Sequence, residues 1–292
     1  MTQVTTRQII ALLLLLPVTV LLFVVLVVPS IWALVLSFHE YSLTDARVFI
    51  GLDNFLTIFS DRSDFVATTG RTFLFVVLGV GGEFLLGMAF SLLLARGFPG
   101  QRFWVALYIA PFALSPVVAV VVWKYLFNTD YGLINYGLSL MNVAGPNWFS
   151  NAVASFAAIV IIDIWRYTPF TILILYPSIT SISQTLYDAA RIDGAGFWQS
   201  FRRITFPLIT PAAATALTFR IIFGLRLFGP IYLFNGGGPV SATKVLSILL
   251  YEEGIVYWHF GLGSAVAVML LVLTLLLAAP QIKAMQQAMF RS

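Results

Sequence analysis

Long apolar stretches separated by short polar segments dominate the chain. Each of six stretches could cross a bilayer, whose hydrocarbon core takes about 20 apolar residues per helix. They cover residues 9–37, 70–95, 103–127, 152–180, 208–234 and 257–279. No small-residue cleavage site follows the first stretch, so we expect a retained helix rather than a signal peptide. The pattern predicts an all-α integral membrane protein, with a single domain of six transmembrane helices over residues 1–292.

Composition supports this class and excludes others. Of the 292 residues, 60% are hydrophobic and 10% are charged, whereas about a quarter of a soluble domain is charged. So few charges exclude a soluble globular protein and a disordered chain. A nucleic-acid-binding protein is excluded because the basic residues are scattered and form no patch. The chain has no cysteine, which excludes disulfides, thiolate nucleophiles and cysteine-ligated metal sites.

The distribution of charge between the two sets of loops predicts the topology. One set comprises the N-terminus, the loop near 96–102, the loop 181–207 and the C-terminal tail, and it holds eight basic residues and two acidic ones. The other set holds five basic residues, including Arg62, and eight acidic ones, including Asp45 and Asp61. Because cytoplasmic loops carry an excess of Lys and Arg, we expect both termini in the cytoplasm.

Five charged residues lie inside the apolar stretches, away from the polar loops: Glu83, Asp163, Arg166, Arg220 and Arg226. Charge is costly in hydrocarbon, so such groups usually face a partner or a cavity. Asp163 and Arg166 are three residues apart on one helix face and can pair. The sequence leaves open whether each of these residues has a structural or a functional role.

Proline and glycine residues interrupt several spans. Irregular backbone at membrane depth is tolerated where it lines protein or water, so a translocation path is one explanation. Ordinary enrichment of these residues in membrane helices is the other. The interruptions lie at Pro111, Pro116, Pro169, Gly224 and Gly229–Pro230.

The loop 181–207 predicts a helical elbow on the cytoplasmic side. Thr185 followed by Asp188 is similar to a capping box that starts a helix, and Gly194 suits a left-handed helix stop. A second short helix is expected from Phe197 to Ile204, ended by Pro207. The elbow either enters a groove of a partner protein or lies on lipid as an amphipathic helix.

This loop resembles the EAA loop of permease subunits from bacterial ABC importers. That pattern is Glu-Ala-Ala, three residues, Gly, nine residues, Ile, one residue and Leu-Pro. The spacing matches in full, with Asp in place of Glu and Phe in place of Leu. The matching residues are Asp188, Ala189, Ala190, Gly194, Ile204, Phe206 and Pro207.

The resemblance implies a type I importer permease with defined partners. Two permease subunits, here of different chains, would form the pore, an extracytoplasmic substrate-binding protein would deliver the solute, and two ATPase subunits would dock on the elbow. The chain has no Gly-Lys-Ser/Thr phosphate loop, so it would carry no cofactor, and the ATPases would bind ATP and Mg. The implied location is the plasma (inner) membrane of a bacterium or archaeon. The implied ATPase-coupling residues are Asp188, Ala189, Ala190, Gly194, Ile204 and Pro207.

Other segments resemble the carbohydrate branch of these importers, the maltose and glycerol-phosphate type. They begin at Asp163, Phe219, Arg226 and Asn235. The branch often has Asp after the position of Phe228, where this chain has Gly229. By motif distance the resemblance implies eight substrate-path candidates, which are Asp163, Arg166, Tyr167, Phe170, Phe223, Gly224, Arg226 and Leu227.

Two other functions compete with a sugar importer. An intramembrane protease would need a serine–histidine site, but His39 and His259, the two histidines of the chain, both lie near the external ends of spans. An ion-coupled secondary transporter would use Glu83 or Asp163 to carry the ion. The spacing of the EAA-like loop argues against both functions.

Overall fold

The computed structural model describes residues 6–44, 46–60 and 64–289. Three acidic or basic residues used for the external charge count, Asp45, Asp61 and Arg62, lie outside these ranges, as does Arg291 of the C-terminal tail. The described chain is mostly helical and divides into two compact units. One unit comprises residues 1–65 and 249–271, and the other comprises residues 66–248 and 272–292.

The first unit begins with a long apolar helix. Helix α1 (Thr6–Leu22) continues through a π-helical turn (Phe23–Val27) into α2 (Val28–Leu36). Nearly all described apolar side chains of this helix are exposed, as expected for a surface that contacts lipid. A hairpin of β1 (His39–Glu40) and β2 (Val48–Phe49) follows.

The side-chain amide of Asn54 connects two segments at the extramembrane end of this unit. Asn54, on α3 (Asp53–Ile58), donates from Nδ2 to the carbonyl oxygens of Ser37 and His39 at 3.0 and 2.8 Å. These bonds hold the segment after α2 in place. The same unit contains the end of α14 (Leu246–Tyr251), a π-helical turn (Glu252–Val256) and the first part of α15 (Phe260–Met289).

The second unit is built around one central helix, α9 (Ala152–Thr180). Helix α9 contacts α5 (Gly81–Leu94) most extensively and also packs against α6 (Gln101–Ala113) and α12 (Phe206–Leu225). A π-helical turn (Val76–Val80) joins α5 to α4 (Phe65–Phe75). Most residues of α9 are buried or half-buried, so the unit has its core here. Three short helices also belong to this unit: α8 (Leu133–Leu140), α10 (Gln184–Ile192) and α13 (Gly229–Asn235).

The span expected over 103–127 is broken. It consists of α6 (Gln101–Ala113) and α7 (Pro116–Leu126), which are bent by 101°. The backbone of Leu114 and Ser115 between them is extended, with ψ of 142° and 141°. The physical reason is Pro116, because proline disfavours helical backbone at the residue before it.

The fifth span differs from its expected limits of 208 and 234. Helix α11 (Phe197–Ser200) runs through a π-helical turn (Phe201–Thr205) into α12 (Phe206–Leu225). The prediction that Pro207 ends a short helix is therefore wrong. Pro207 lies just after the π-helical turn, within a helical path that runs from Phe197 to Leu225.

The described residues contain five helices long and apolar enough to cross a membrane, or six spans if the bent pair α6–α7 counts as one. The predicted class, a six-helix all-α membrane protein, is confirmed. The expectation of one domain over 1–292 stays a prediction.

Candidate functional site

Three charged side chains from three different spans meet inside the second unit. Arg220 on α12 donates from Nε to Glu83 Oε2 on α5 at 2.5 Å and from Nη2 to Asp163 Oδ2 on α9 at 2.7 Å. The three side chains are at most 1% exposed. A buried charge is tolerated when it is paired and hydrogen-bonded. Arg220 provides both the opposite charge and a hydrogen bond to each of the two carboxylates. We call Glu83, Asp163, Arg166 and Arg220 the charge cluster.

The close approach of α5 and α9 allows the charge cluster to form. A Cβ atom at Gly87 would lie 2.6 Å from the side chain of Thr171, and one at Gly82 would lie 2.7 Å from that of Ile164. Small residues at a helix interface let the two backbones come close in a membrane protein. The approach places Thr171 Oγ1 2.9 Å from Glu83 Oε1, to which it donates.

Asp163 and Arg166 do not pair with each other as their spacing suggested. Asp163 bonds to Arg220 instead, and Arg166 donates from Nη2 to the carbonyl oxygen of Leu114 at 3.3 Å. Leu114 lies in the break between α6 and α7, so Arg166 satisfies a carbonyl that the interrupted helix leaves free. Among the described residues, neither Asp163 Oδ1 nor Arg166 Nε has a hydrogen-bond partner, and both atoms are buried.

Tyr167 lies against both arginines of the charge cluster. The Cζ atom of Arg220 is 3.8 Å from the centroid of its ring, and that of Arg166 is 4.7 Å away. Guanidinium groups within about 6 Å of a ring centroid are attracted by the ring quadrupole. The ring of Tyr167 therefore joins the charge cluster to the neighbouring aromatic residues.

Those aromatic residues form a continuous group, which we call the aromatic group: Phe112, Tyr167, Phe170, Phe219 and Phe223. Phe112 lies between Tyr167 and Phe170, with ring centroids 6.2 and 5.9 Å away. Phe170 in turn lies 6.4 Å from Phe219 and 6.5 Å from Phe223. Phe219 and Phe223 are exposed on the single chain. Exposed rings next to charged hydrogen-bonding groups can contact both the apolar and the polar faces of a solute.

The remaining candidates of the predicted substrate path lie elsewhere. Gly224 is buried, and a Cβ there would be 3.3 Å from a methyl group of Val80. Leu227 packs in a buried apolar cluster with residues such as Ile231. Arg226 is exposed at the end of α12. Of the eight candidates, the structure brings together Asp163, Arg166, Tyr167, Phe170 and Phe223.

Sequence reasoning left four residues of this site unassigned to it. Glu83 was noted as a charge within a span and as a possible ion carrier of the competing secondary transporter, and Arg220 was noted as a charge within a span. Phe112 and Phe219 were not noted as site residues, because an aromatic residue in an apolar stretch gives no signal of its own. For Glu83 and Arg220 the sequence did contain a signal, because several charged residues fall within the spans and each buried charge needs a partner.

The elbow is the second candidate site, and it has the predicted helix and stop. Helix α10 ends in a Schellman motif, in which Gly194 N–H donates to Arg191 O at 3.0 Å and Ala195 N–H donates to Ala190 O at 2.8 Å. Gly194 has a φ of +76°, the left-handed conformation that the motif requires. The start of the helix differs from the prediction, because Ser183 rather than Thr185 is the N-cap and its side chain makes no capping bond.

The elbow exposes both motif residues and large apolar side chains. Asp188, Ala189 and Pro207 are exposed, whereas Ala190 and Ile204 are half-buried. Ile192 and Trp198 are 87% and 74% exposed. Asp188 accepts a hydrogen bond from Arg191 one turn later at 3.4 Å, an exposed pair that adds little stability. Apolar side chains this exposed on a projecting loop are typical of a contact surface.

The comparisons with known proteins agree on one family. The model of the family described as "Binding-protein-dependent transport system inner membrane component" matches residues 84–282. This range includes the charge cluster except Glu83, and it includes the whole elbow.

Two relatives and one solved structure extend the match over most of the chain. The chain is 35% identical to the trehalose/maltose transport system permease protein MalF of Thermococcus litoralis over 90% of this chain and 89% of MalF. It is 32% identical to the sulfoquinovosyl glycerol transport system permease protein SmoG of Agrobacterium fabrum, over 93% of this chain and 89% of SmoG. A chain in the crystal structure of a bacterial ABC transporter involved in alginate import has a similar fold, with a TM-score of 0.83, 21% identity and 96% coverage of both chains.

Proposed function

Because the chain belongs to the family of inner membrane components of binding-protein-dependent transport systems, we propose that it forms half of the translocation path of an ABC importer for a sugar or sugar-like solute. The relatives named above are permeases for trehalose and maltose and for sulfoquinovosyl glycerol. These are glycans or glycosides, so the solute class of this chain is a carbohydrate. Family membership also leaves no support for a secondary transporter or an intramembrane enzyme.

The elbow is the observation that carries the coupling role. Its short helix ends at Gly194 in a Schellman motif, and its tip exposes Asp188 and Ala189. In our proposal Asp188, Ala189, Ala190 and Gly194 enter a cleft of a partner ATPase, while Ile204 and Pro207 connect the elbow to α12. The continuous helical path from α11 into α12 provides a rigid connection between the ATPase contact and the membrane.

The aromatic group and the charge cluster support a path for a sugar. The apolar face of a sugar ring packs on aromatic rings, and its hydroxyls bond to carboxylates and guanidinium groups. In our proposal Tyr167, Phe170 and Phe223 contact the solute, together with Phe112 and Phe219. Arg166 and Asp163 each keep one buried polar atom without a partner, and a solute hydroxyl or a bridging water would satisfy them. The other three candidates either line the end of this path or pack behind the residues that line it: Gly224, Arg226 and Leu227.

Family membership supports a set of partners. We propose a second permease subunit of a different chain, two ATPase subunits that bind ATP and Mg, and an extracytoplasmic binding protein that delivers the solute. The location is the inner membrane of a bacterium or archaeon. Both termini and the elbow lie in the cytoplasm, because their loops hold most of the basic residues outside the spans.

Reconstitution of the complete transporter tests this function. The chain is co-purified with the second permease and the ATPase encoded beside it, placed in proteoliposomes, and supplied with the neighbouring binding protein and labelled sugars. We expect uptake of one class of glycoside that requires both ATP and the binding protein. Uptake that persists without ATP and stops when ion gradients are collapsed would instead identify a secondary transporter.

A further inference from the structure

We propose that Glu83 and Arg220 are positioning residues of the translocation path, because they hold the ring of Tyr167 in place from behind. Neither residue is a candidate for contact with the solute. The inference rests on the proposed function, since Tyr167 is one of the residues that we assign to the path. It adds two residues, from two other spans, that determine the shape of the path without lining it.

The first step is that the orientation of the Arg220 guanidinium is fixed. Its guanidinium is held by two carboxylates, by Glu83 through Nε and by Asp163 through Nη2. Glu83 is fixed in turn by the hydroxyl of Thr171 at 2.9 Å. The guanidinium is planar and its N–H groups lie in its plane, so bonds from two of its nitrogens define the orientation of its face.

The second step is that Tyr167 is in contact with that guanidinium. The ring centroid of Tyr167 lies 3.8 Å from Arg220 Cζ, which is a van der Waals contact distance. Glu83 therefore acts on Tyr167 through Arg220, although no hydrogen bond joins Glu83 to Tyr167. A change at Glu83 would shift the ring and leave every residue of the aromatic group chemically unchanged.

The third step concerns the whole charge cluster. Two carboxylates and two guanidinium groups give the charge cluster a formal charge of zero, which suits a buried position in a membrane. Arg166 also binds the carbonyl of Leu114 in the break between α6 and α7. The charge cluster thus connects α5, α9 and α12 with the break in the third span. Helices α9 and α12 carry four of the five rings of the aromatic group, and Phe112 lies at the end of α6, just before the break.

The test uses the complete reconstituted importer with three variants, Glu83→Gln, Arg220→Lys and Arg220→Met. Uptake, the number of sugars transported per ATP hydrolysed and the preference between two related sugars are measured. Arg102→Met serves as the control, since Arg102 is an exposed arginine at the start of α6. Tyr167→Leu gives the expected pattern for loss of the ring itself.

We expect Arg220→Lys to assemble normally and to reduce uptake about tenfold or more, a factor in the range of a desolvated cation–π contact. It should also lower the transport-per-ATP ratio and shift sugar preference in the direction of Tyr167→Leu. Glu83→Gln, which keeps an acceptor for Arg220 Nε, should cause a smaller change in the same direction. The control should match the wild type.

Two results would overturn the positioning role. One is wild-type uptake, ratio and preference in Glu83→Gln and Arg220→Lys. The other is poor assembly of all three variants while the complex that does assemble keeps the wild-type ratio and preference, which would indicate a role in stability alone. If the wild-type complex transports no sugar, the proposed function fails first, and the assignment of these residues fails with it.

Discussion

Arg220 and Glu83 are 137 residues apart in the chain, and their side chains form a buried ion pair at 2.5 Å. The pair joins α12 to α5, and the second carboxylate, that of Asp163, joins both helices to α9. A buried pair is weak evidence for stability by itself, because desolvation offsets most of the Coulombic attraction. Its clearest consequence is that the three helices have one mutual arrangement in which all the charges are compensated.

Removing one charge of the charge cluster should destabilise the protein more than removing a pair of opposite charges. Arg220→Met leaves two buried carboxylates with Arg166 as the one remaining cation of the charge cluster, and the loss of one partner of a buried pair typically costs about 3–5 kcal/mol. The double variant Glu83→Met, Arg220→Met leaves Asp163 and Arg166, so the charge cluster stays formally neutral. We expect its thermal midpoint in detergent to exceed that of Arg220→Met. A double variant less stable than the single variant would contradict this account.

A methyl group at Gly87 should separate α5 from α9. The added Cβ would lie 2.6 Å from Thr171 Cβ, an atom that cannot move without its backbone, so Gly87→Ala should lower thermal stability and uptake. Gly81→Ala is the matched control in the same helix, because a Cβ there meets no atom within 4 Å. The control should be neutral or gain about 0.5–1 kcal/mol from the better helix propensity of alanine. Equal effects of the two variants would refute the close-packing argument.

Replacement of Gly194 should separate ATP hydrolysis from transport. Its φ of +76° is strained for most residues by about 1–2 kcal/mol and is tolerated by asparagine. We expect Gly194→Val to abolish coupled uptake while the chain still inserts into the membrane, and Gly194→Asn to retain much of it. Because a Cβ at this position meets no atom within 4 Å, a loss in Gly194→Val reflects backbone conformation within the chain or contact with a partner. Normal coupled uptake in Gly194→Val would indicate that the elbow is only a surface helix.

A bulky side chain at Ala190 should block the ATPase contact. Ala190 is half-buried on α10, and Ala190→Trp would push the elbow away from a partner that approaches it closely. We expect the ATPase to dissociate from this variant, or to hydrolyse ATP without sugar uptake. Ala190→Ser, which keeps a small side chain, should bind the ATPase normally in co-purification. Wild-type transport by Ala190→Trp would mean that no partner contacts this face.

Loss of an exposed ring from the aromatic group should reduce sugar transport. Phe223 contacts Phe170 and Phe219 and is exposed on the single chain. Phe223→Ala should lower the uptake rate and alter the preference between sugars, with normal assembly. Phe103→Ala, at an exposed phenylalanine outside the aromatic group, is the control. If the two variants are indistinguishable, the aromatic group is not part of the path, and the partner permease holds the solute.

The sequence alone predicted the features that depend on local pattern. Apolar stretches of membrane length predicted six spans, because the bilayer sets the length of a helix that must bury its backbone polar groups. The stop at Gly194 was predictable because the conformation required there is one that glycine adopts readily. The spacing of Asp188, Ala189, Ala190 and Gly194 identified the family. Local pattern failed at the ends of elements, where Ser183 rather than Thr185 is the N-cap and where the helix continues through Pro207 instead of ending there.

Only the tertiary structure decided which charges pair. Spacing placed Asp163 and Arg166 on one helix face, but Asp163 bonds to Arg220, which is 57 residues away in the chain. Arg166 instead donates a hydrogen bond to the carbonyl oxygen of Leu114, which lies in the break that Pro116 creates in the third span. A helical pattern specifies the neighbours of a residue along its own helix, whereas the partner of a buried charge depends on which helices approach closely enough. Here the absence of a Cβ at Gly82 and Gly87 allows that approach, and its effect is visible only when α5 and α9 are packed together.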